Sequence, residues 1–309
     1  MRNFGLTKEG KMKIIITGSL GHISKPLTKE LVEKGHSVTV ISSKPEKEKD
    51  IEALGAKAAI GSLEDVPFLT KTFTGADIVY LMEPPVHFLN PTADPEKQWG
   101  GIAERYVQAI QQSGIKKVIH LSSIGAHTDK GNGMLSAHYY VENILKQLPS
   151  NVSIKFMRPV GFYYNMFAFV PSIKAQGVIV QNYGGDEKEP WVSPLDIAAV
   201  IAEEIEKPFA GREVRYIASD EVSPNEVAEI LGEAIGKPDL KWLVISDEQF
   251  KEGLISAGFS LKSAEGFVGM NAGRINGVLY EDYDHRRPVL GKVKLRDFAK
   301  DFADAFFKS

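Results

Sequence analysis

The sequence predicts an α/β protein, a doubly wound parallel sheet followed by a smaller mixed lobe. Three observations predict it. Short β-branched runs alternate with helix-length segments through the first half, a glycine-containing turn separates the first run from the first helix, and the rhythm changes after Arg158, where aromatics gather. Strands joined by helix-sized crossovers must lie parallel, because such a connection is not a hairpin. Right-handed crossovers then place helices on both faces of the sheet.

The elements follow in order. Lys13–Thr17 reads as a strand, and Lys25–Lys34 as a helix with Leu27, Leu31 and Val32 on one face, stopped by Gly35. Ser37–Ile41 is the second strand, Glu46–Leu54 a helix closed by Gly55, and Lys57–Ile60 a short third strand. Leu63–Phe73 is helical with Gly75 after it, and Ala76–Met82 is the fourth strand. A helix from Gln98 to Ser113 ends at Gly114 and leads into strand five, Lys117–Leu121. A helix over Ser136–Leu148 and a sixth strand over Ser153–Met157 complete the series.

Beyond Arg158, Phe162, Tyr163, Tyr164, Phe167 and Phe169 cluster, and Gly184–Pro190 is a polar loop. Asp196–Lys207, Pro224–Ile235 and Leu295–Phe307 read as helices, and Glu213–Ile217 and Lys241–Val244 as strands. In the last helix Leu295, Phe298, Phe302 and Phe306 recur at helical spacing, so it docks on the body. The expected division is residues 12–157 as one domain and 158–309 as mainly a second lobe, with some segments returning to the first sheet. Residues 1–11 are expected as a loose extension or a translation-start ambiguity.

Composition narrows the function. In 309 residues, 37 basic and 40 acidic side chains nearly balance, which argues against nucleic-acid binding through a broad basic face. There is no cysteine, so disulfides, thiolate metal sites and a cysteine nucleophile are excluded. No apolar run approaches the ~20 residues of a membrane helix, and no signal or transit segment precedes Met12, which makes the cytoplasm the default compartment. The histidines are scattered without metal-ligand spacing, so no metal is expected. No Gly-x-Ser-x-Gly hydrolase elbow occurs.

The sharpest local feature is Thr17-Gly18-Ser19-Leu20-Gly21-His22-Ile23-Ser24, between the first strand and the first helix. Gly18 permits a tight turn, and Gly21 removes the side chain where a pyrophosphate approaches the backbone. The helix start then offers free N–H groups to the phosphate. Alone, such a turn is equally a plain strand–helix connection; its N-terminal place in a strand–helix–strand unit favours nucleotide binding and a Rossmann-type sheet. Ser24 holds the third position of the fingerprint, either for close helix–strand packing or as an N-cap. After strand two, Ser42, Ser43 and Lys44 stand where an acid would bind the ribose hydroxyls of NAD. Two hydroxyls and a lysine suit a 2′-phosphate, so NADP(H) is preferred over NAD(H); the same run also reads as a solvated loop.

Together with this loop, Gly61-Ser62-Leu63-Glu64-Asp65, Leu81-Met82-Glu83-Pro84-Pro85, Leu121-Ser122-Ser123-Ile124-Gly125, Arg158-Pro159 with Asn165, and Trp191-Val192-Ser193-Pro194-Leu195-Asp196-Ile197-Ala198 resemble the NmrA-like atypical short-chain dehydrogenases/reductases, over nearly the whole chain from Met12. The resemblance implies a Rossmann domain with a small C-terminal lobe that binds NAD(P). Members reduce quinones, dyes or phenylpropanoid-type substrates, or act as redox-responsive regulators. It places the pyrophosphate on Gly18–Ile23, the adenosine ribose by Ser42, Ser43 and Lys44, the adenine by Ser62 and Leu63, and the path to the nicotinamide along Met82, Pro84 and Pro85. The family often has Asp where Ser62 stands.

The Tyr-x-x-x-Lys of standard short-chain dehydrogenases is missing. Four residues after Tyr139 stands Asn143, and four after Tyr140 stands Ile144. What remains is His138-x-x-x-Glu142, a spacing that puts both on one helix face, where the carboxylate would orient the imidazole. His138 or Tyr139 is then the candidate proton donor, with a structural pair as the competing reading. Ser123 stands where a serine would orient a carbonyl, or merely caps a loop. Phe162, Tyr163 and Asn165 are expected at an apolar mouth that receives a flat aromatic acceptor, though the cluster also reads as packing between lobes. The expectation is an NAD(P)H-dependent reductase of a small quinoid or aromatic acceptor. The alternative is a non-catalytic NADP(H)-sensing regulator acting through a protein partner, and a homodimer is left open.

Overall fold

A computed structural model describes residues 10–90 and 92–309. Most of the extension expected at residues 1–11 therefore lies outside the described residues.

The first half builds β1 (Lys13–Ile16), α1 (Ser24–Glu33), β2 (Ser37–Ser42), α2 (Glu48–Glu52), β3 (Lys57–Ile60), α3 (Val66–Phe73), β4 (Ile78–Leu81), α4 (Pro95–Ser113), β5 (Lys117–Leu121), α5 (Ser136–Leu145) and β6 (Ser153–Pro159). The second half adds β7 (Gly161–Phe162), α6 (Val170–Gln176), β8 (Val178–Gln181), β9 (Glu189–Val192), α7 (Pro194–Glu206), β10 (Arg212–Ile217), β11 (Asp220–Val222), α8 (Pro224–Ala234), β12 (Lys241–Val244), α9 (Asp247–Ser256), α10 (Leu261–Ile275), α11 (Glu281–His285) and α12 (Leu295–Lys308).

Seven strands form the main sheet in the order β10-β6-β5-β4-β1-β2-β3, every pair parallel. The chain winds outward from β1 to β3, then restarts at β4 on the other side of β1. This reversal opens a crevice at the strands' C-terminal ends. Both faces are covered, as a parallel sheet requires. Ile14, Ile16 and Tyr80 pack toward α1 and α7 with Leu27, Leu31 and Ile201, whereas Ile15, Val79 and Phe156 pack toward α3, α4 and α5 with Leu69, Tyr106 and Val141.

The returning segment is β10, which extends the sheet parallel to β6 while α7 packs on α1. The rest of the second half has its own core, where Tyr163, Trp191, Trp242, Phe298 and Phe302 are buried and α12 docks on α8. In the first half, three helix starts differ by two residues or more from the expected ones for a local reason. Asp65 caps α3 by accepting from Phe68 N at 3.0 Å, so the helix begins at Val66. Asp94 caps α4 through Lys97 N at 3.3 Å, so that helix begins at Pro95, three residues before Gln98. Pro45 starts a tight turn over Pro45–Lys47, which leaves α2 short.

Candidate functional site

The crevice at the switch point is floored by the turn between β1 and α1. Thr17 ties its start to β4, donating its N–H to Tyr80 O at 3.1 Å and accepting at Oγ1 from Met82 N at 2.8 Å. Gly18 has φ +88°, and a Cβ there would stand 2.3 Å from Met82 Sδ and 2.6 Å from Ser24 Oγ, so only glycine fits. Ser24 does not cap the helix: it is the first residue of α1, and its Oγ donates to Thr17 O at 2.9 Å. Its role is the close helix–strand packing.

Ser19, at φ 54°, donates its N–H to Ile41 O at 3.1 Å and its hydroxyl to Ser42 Oγ at 2.9 Å. Gly21 is exposed, and a Cβ on it would meet only Gly18 O, at 3.2 Å. Among the described residues the amides of Leu20, His22 and Ile23 find no partner, so the turn and the N-terminus of α1 carry unused donors. The His22 ring lies against Tyr164 of the second lobe, centroids 4.1 Å apart.

At the end of β2, Ser42 is buried and holds the turn, accepting from Lys44 N at 3.2 Å, which leaves the side chains of Ser43 and Lys44 exposed. No carboxylate precedes Glu46 there. Ser62 and Leu63 follow β3, with the Ser62 hydroxyl accepting from Glu64 N at 3.1 Å. Met82 is half-buried and Pro84 exposed beyond β4.

Next to this end of β4 lies a buried polar cluster. Both Glu83 oxygens stand 3.1 Å from His120 Nε2, and the Tyr106 hydroxyl donates to Met82 O at 2.7 Å. Trp99 donates its indole N–H to Pro84 O at 2.8 Å and places its ring 4.7 Å from that of His138. The His138 Nδ1 is buried without a partner, and burial pushes the imidazole down to about 4, so it is neutral at pH 7.

The expected pairing of His138 with Glu142 does not form. Glu142 is fully buried, and its carboxylate accepts from Ser122 Oγ at 2.7 Å and, side by side, from Arg158 Nε at 2.8 Å and Nη2 at 2.7 Å. Lys146 adds a contact at 3.1 Å. Arg158 continues to Asp282 at 2.9 Å, which also accepts from the Tyr216 hydroxyl. The forked guanidinium outcompetes a neutral imidazole for the carboxylate. Burial raises the Glu142 carboxyl, but Arg158, Lys146 and Ser122 together hold it below the usual range. Arg158 in its Arg-Pro motif was read in the sequence only as a mark of resemblance; its bond to Glu142 crosses 16 residues and required the fold.

The other expected residues divide. Tyr139 is half-buried and edge-on to Tyr140, and Ser123 is half-buried at the end of β5. Phe162 is half-buried and Asn165 exposed. Tyr163 does not line a mouth: it is fully buried in the second core, stacked on Phe298 at 5.3 Å with its hydroxyl donating to Val293 O at 3.3 Å. Its neighbour Tyr164 is the exposed ring that meets His22. Among the described residues no group of three or more His, Asp or Glu side chains is arranged to hold a metal ion, and no helix is long and apolar enough to cross a membrane.

The NAD(P)H azoreductase of Xenophilus azovorans is 24% identical over 296 residues, covering 95% of this chain and 99% of that protein. The NADPH-dependent quinone oxidoreductase of Escherichia coli, solved with NADPH, superposes with a TM-score of 0.78 at 20% identity, over 93% of this chain and 99% of that one. The triphenylmethane reductase of Citrobacter sp., solved with NADP(H), gives 0.75 at 20% identity, over 94% and 99%. The family model described as NmrA-like matches residues 10–275. That span holds the glycine turn, all seven strands of the main sheet and the Glu142–Arg158 pair. The chain belongs to the NmrA-like family.

Proposed function

We propose that this protein is an NAD(P)H-dependent reductase that passes a hydride to a small aromatic or quinoid acceptor, with NADP(H) favoured over NAD(H). The observation that carries it is the row of unused amides at Leu20, His22 and Ile23 beside the bare Gly21, at the switch point of a parallel sheet. The names of the azoreductase, quinone reductase and triphenylmethane reductase relatives support the same chemistry.

The residues present fit a dinucleotide. Gly18–Ile23 would hold the diphosphate, Ser43 and Lys44 would meet a 2′-phosphate, and Ser42, Ser62 and Leu63 would border the adenosine. Met82 and Pro84 would flank the way to the nicotinamide. When bound, the reduced coenzyme supplies a hydride, two electrons with one hydrogen nucleus, and a proton from water completes a two-electron reduction. Ser123, Tyr139, Phe162 and Asn165 are the candidates to position the acceptor. A neutral His138 holds no acidic proton at pH 7, so its part in this reading is to shape the floor beside Trp99.

Fluorescence titration with NADPH and NADH, followed by NADPH oxidation against a panel of quinones, azo dyes and cationic dyes, tests the proposal. Tight NADPH binding with steady turnover of at least one acceptor is expected. Binding without any turnover would instead support the regulator, and tighter NADH binding would overturn the coenzyme preference.

A further inference from the structure

We propose that a cavity between the first turns of α4, α5 and α10 seats one six-membered ring of the acceptor, which selects single-ring quinones over fused-ring ones; this deepens the reductase reading and rests on it. The cavity has a volume of about 150 Å³. A hollow of that size holds one benzene-sized ring, whereas sites for drug-sized ligands run to about 300–1,000 Å³. Phe88, Met134, Ala137 and Gly266 give it walls suited to the face of a ring. Ser263 supplies a polar handle. It lines the cavity at 6% exposure, and its hydroxyl accepts from Ser260 Oγ at 2.9 Å, which leaves its own hydrogen to donate to a carbonyl oxygen.

The fold puts this cavity at the sheet edge that also carries the glycine turn. The crossover helices α4 and α5 follow β4 and β5, so their first turns stand beyond the C-terminal ends of those strands. Met82 touches the glycine turn, its Sδ lying 3.7 Å from Ser24 Oγ. Phe88 follows six residues later, a reach of at most about 20 Å of extended chain. On the opposite wall Ala137 directly precedes His138 and Tyr139, and Trp99, which bonds Pro84 O, packs on the His138 ring. The residues proposed to flank the nicotinamide path thus run on in the chain to the cavity wall.

That wall is held from both halves of the chain. The Phe88 ring meets Phe267 of α10 edge to face at 5.4 Å, and Phe267 meets Phe259 in the same way at 5.6 Å. Lys262 Nζ donates to Asp94 at 2.7 Å, which ties the starts of α10 and α4. Walls fixed in this way keep the cavity's size, and size is what separates one ring from two.

Two variants change that size in opposite directions. Ser136→Leu fills the cavity from the first residue of α5, and Phe88→Ala removes a half-buried wall. For each, kcat/KM is measured with 1,4-benzoquinone and 1,4-naphthoquinone after correction for uncatalysed oxidation of NADPH, and the Kd of NADPH checks the coenzyme end. Relative to the parent, Ser136→Leu is expected to lower the benzoquinone value about tenfold. Phe88→Ala is expected to raise the naphthoquinone-to-benzoquinone ratio about tenfold, the scale of seating or losing part of an apolar ring. A change within about twofold in either folded variant would overturn the assignment. Should the parent reduce neither quinone, calorimetric titration of hydroquinone, the single-ring product, into the NADP-saturated protein decides separately. Binding weakened about tenfold by the folded variants upholds the site while the reductase reading falls, and absent or equal binding sinks the site.

Discussion

Gly21 and Gly18 do different jobs although the sequence presents them as one motif. Gly18 is demanded by the fold, since its φ of +88° and the crowding of Met82 and Ser24 admit no side chain. At Gly21 a Cβ would meet only Gly18 O, at 3.2 Å, and the stronger demand for glycine is the proposed diphosphate site. Gly21→Val is therefore expected to abolish measurable dinucleotide binding while shifting the thermal midpoint by no more than a few degrees. Retained affinity in a fluorescence titration would refute the loop assignment. His138 yields a second expectation. The unfolded chain takes up its proton near 6.5 and the folded protein only near 4, so as pH falls through that window the unfolded state binds more protons and stability drops. His138→Phe should flatten the loss of urea midpoint between pH 6.5 and 4, and an equally steep loss would show that this imidazole is not the group responsible.

Among the elements, the tie between α5, β5 and β6 replaces the catalytic pair that the helix spacing advertised. Glu142 and Arg158 are both buried, and the carboxylate receives two parallel N–H bonds. A buried pair adds little over an apolar one, but removing one member strands a charge. Arg158→Met is expected to cost about 3–5 kcal/mol in urea unfolding. Adding Glu142→Leu should restore part of that loss, and a double variant no more stable than the single one would contradict the pairing. The capped starts of α3 and α4 belong to the same scale. A single Asp moves a helix start by three residues, a choice that apolar periodicity does not register.

For the whole molecule, α10 joins the second lobe to the loop between β5 and α5 by backbone contact. A Cβ on Gly133, at φ +55°, would stand 2.2 Å from Met270 N and 2.3 Å from Gly266 O, and one on Gly273 would stand 2.5 Å from Gly131 O. No flexible side chain can give way there. Gly133→Ala should destabilise the protein by about 3 kcal/mol or more, with the thermal midpoint falling by several degrees. A midpoint equal to the parent's would show that the lobes are not held through this contact. The same helix carries Arg274 to Glu189, so one packing surface positions both the loop after β5 and that buried ion pair.

The sequence by itself determined the alternating strands and helices, the parallel sheet, the glycine turn and the absence of Tyr-x-x-x-Lys. Each of these is written in local periodicity or in a contiguous motif, where neighbours in the chain are neighbours in space. The stretch from Asp247 to His285 drew no element from the sequence, and it holds α9, α10 and α11. Tertiary structure alone decided that Glu142 belongs to Arg158 rather than to His138, and that Tyr163 is core while Tyr164 meets His22. It also brought Arg274 to Glu189. Those outcomes depend on which distant group competes best for a buried carboxylate or a place in the core, and a one-dimensional pattern does not record that competition.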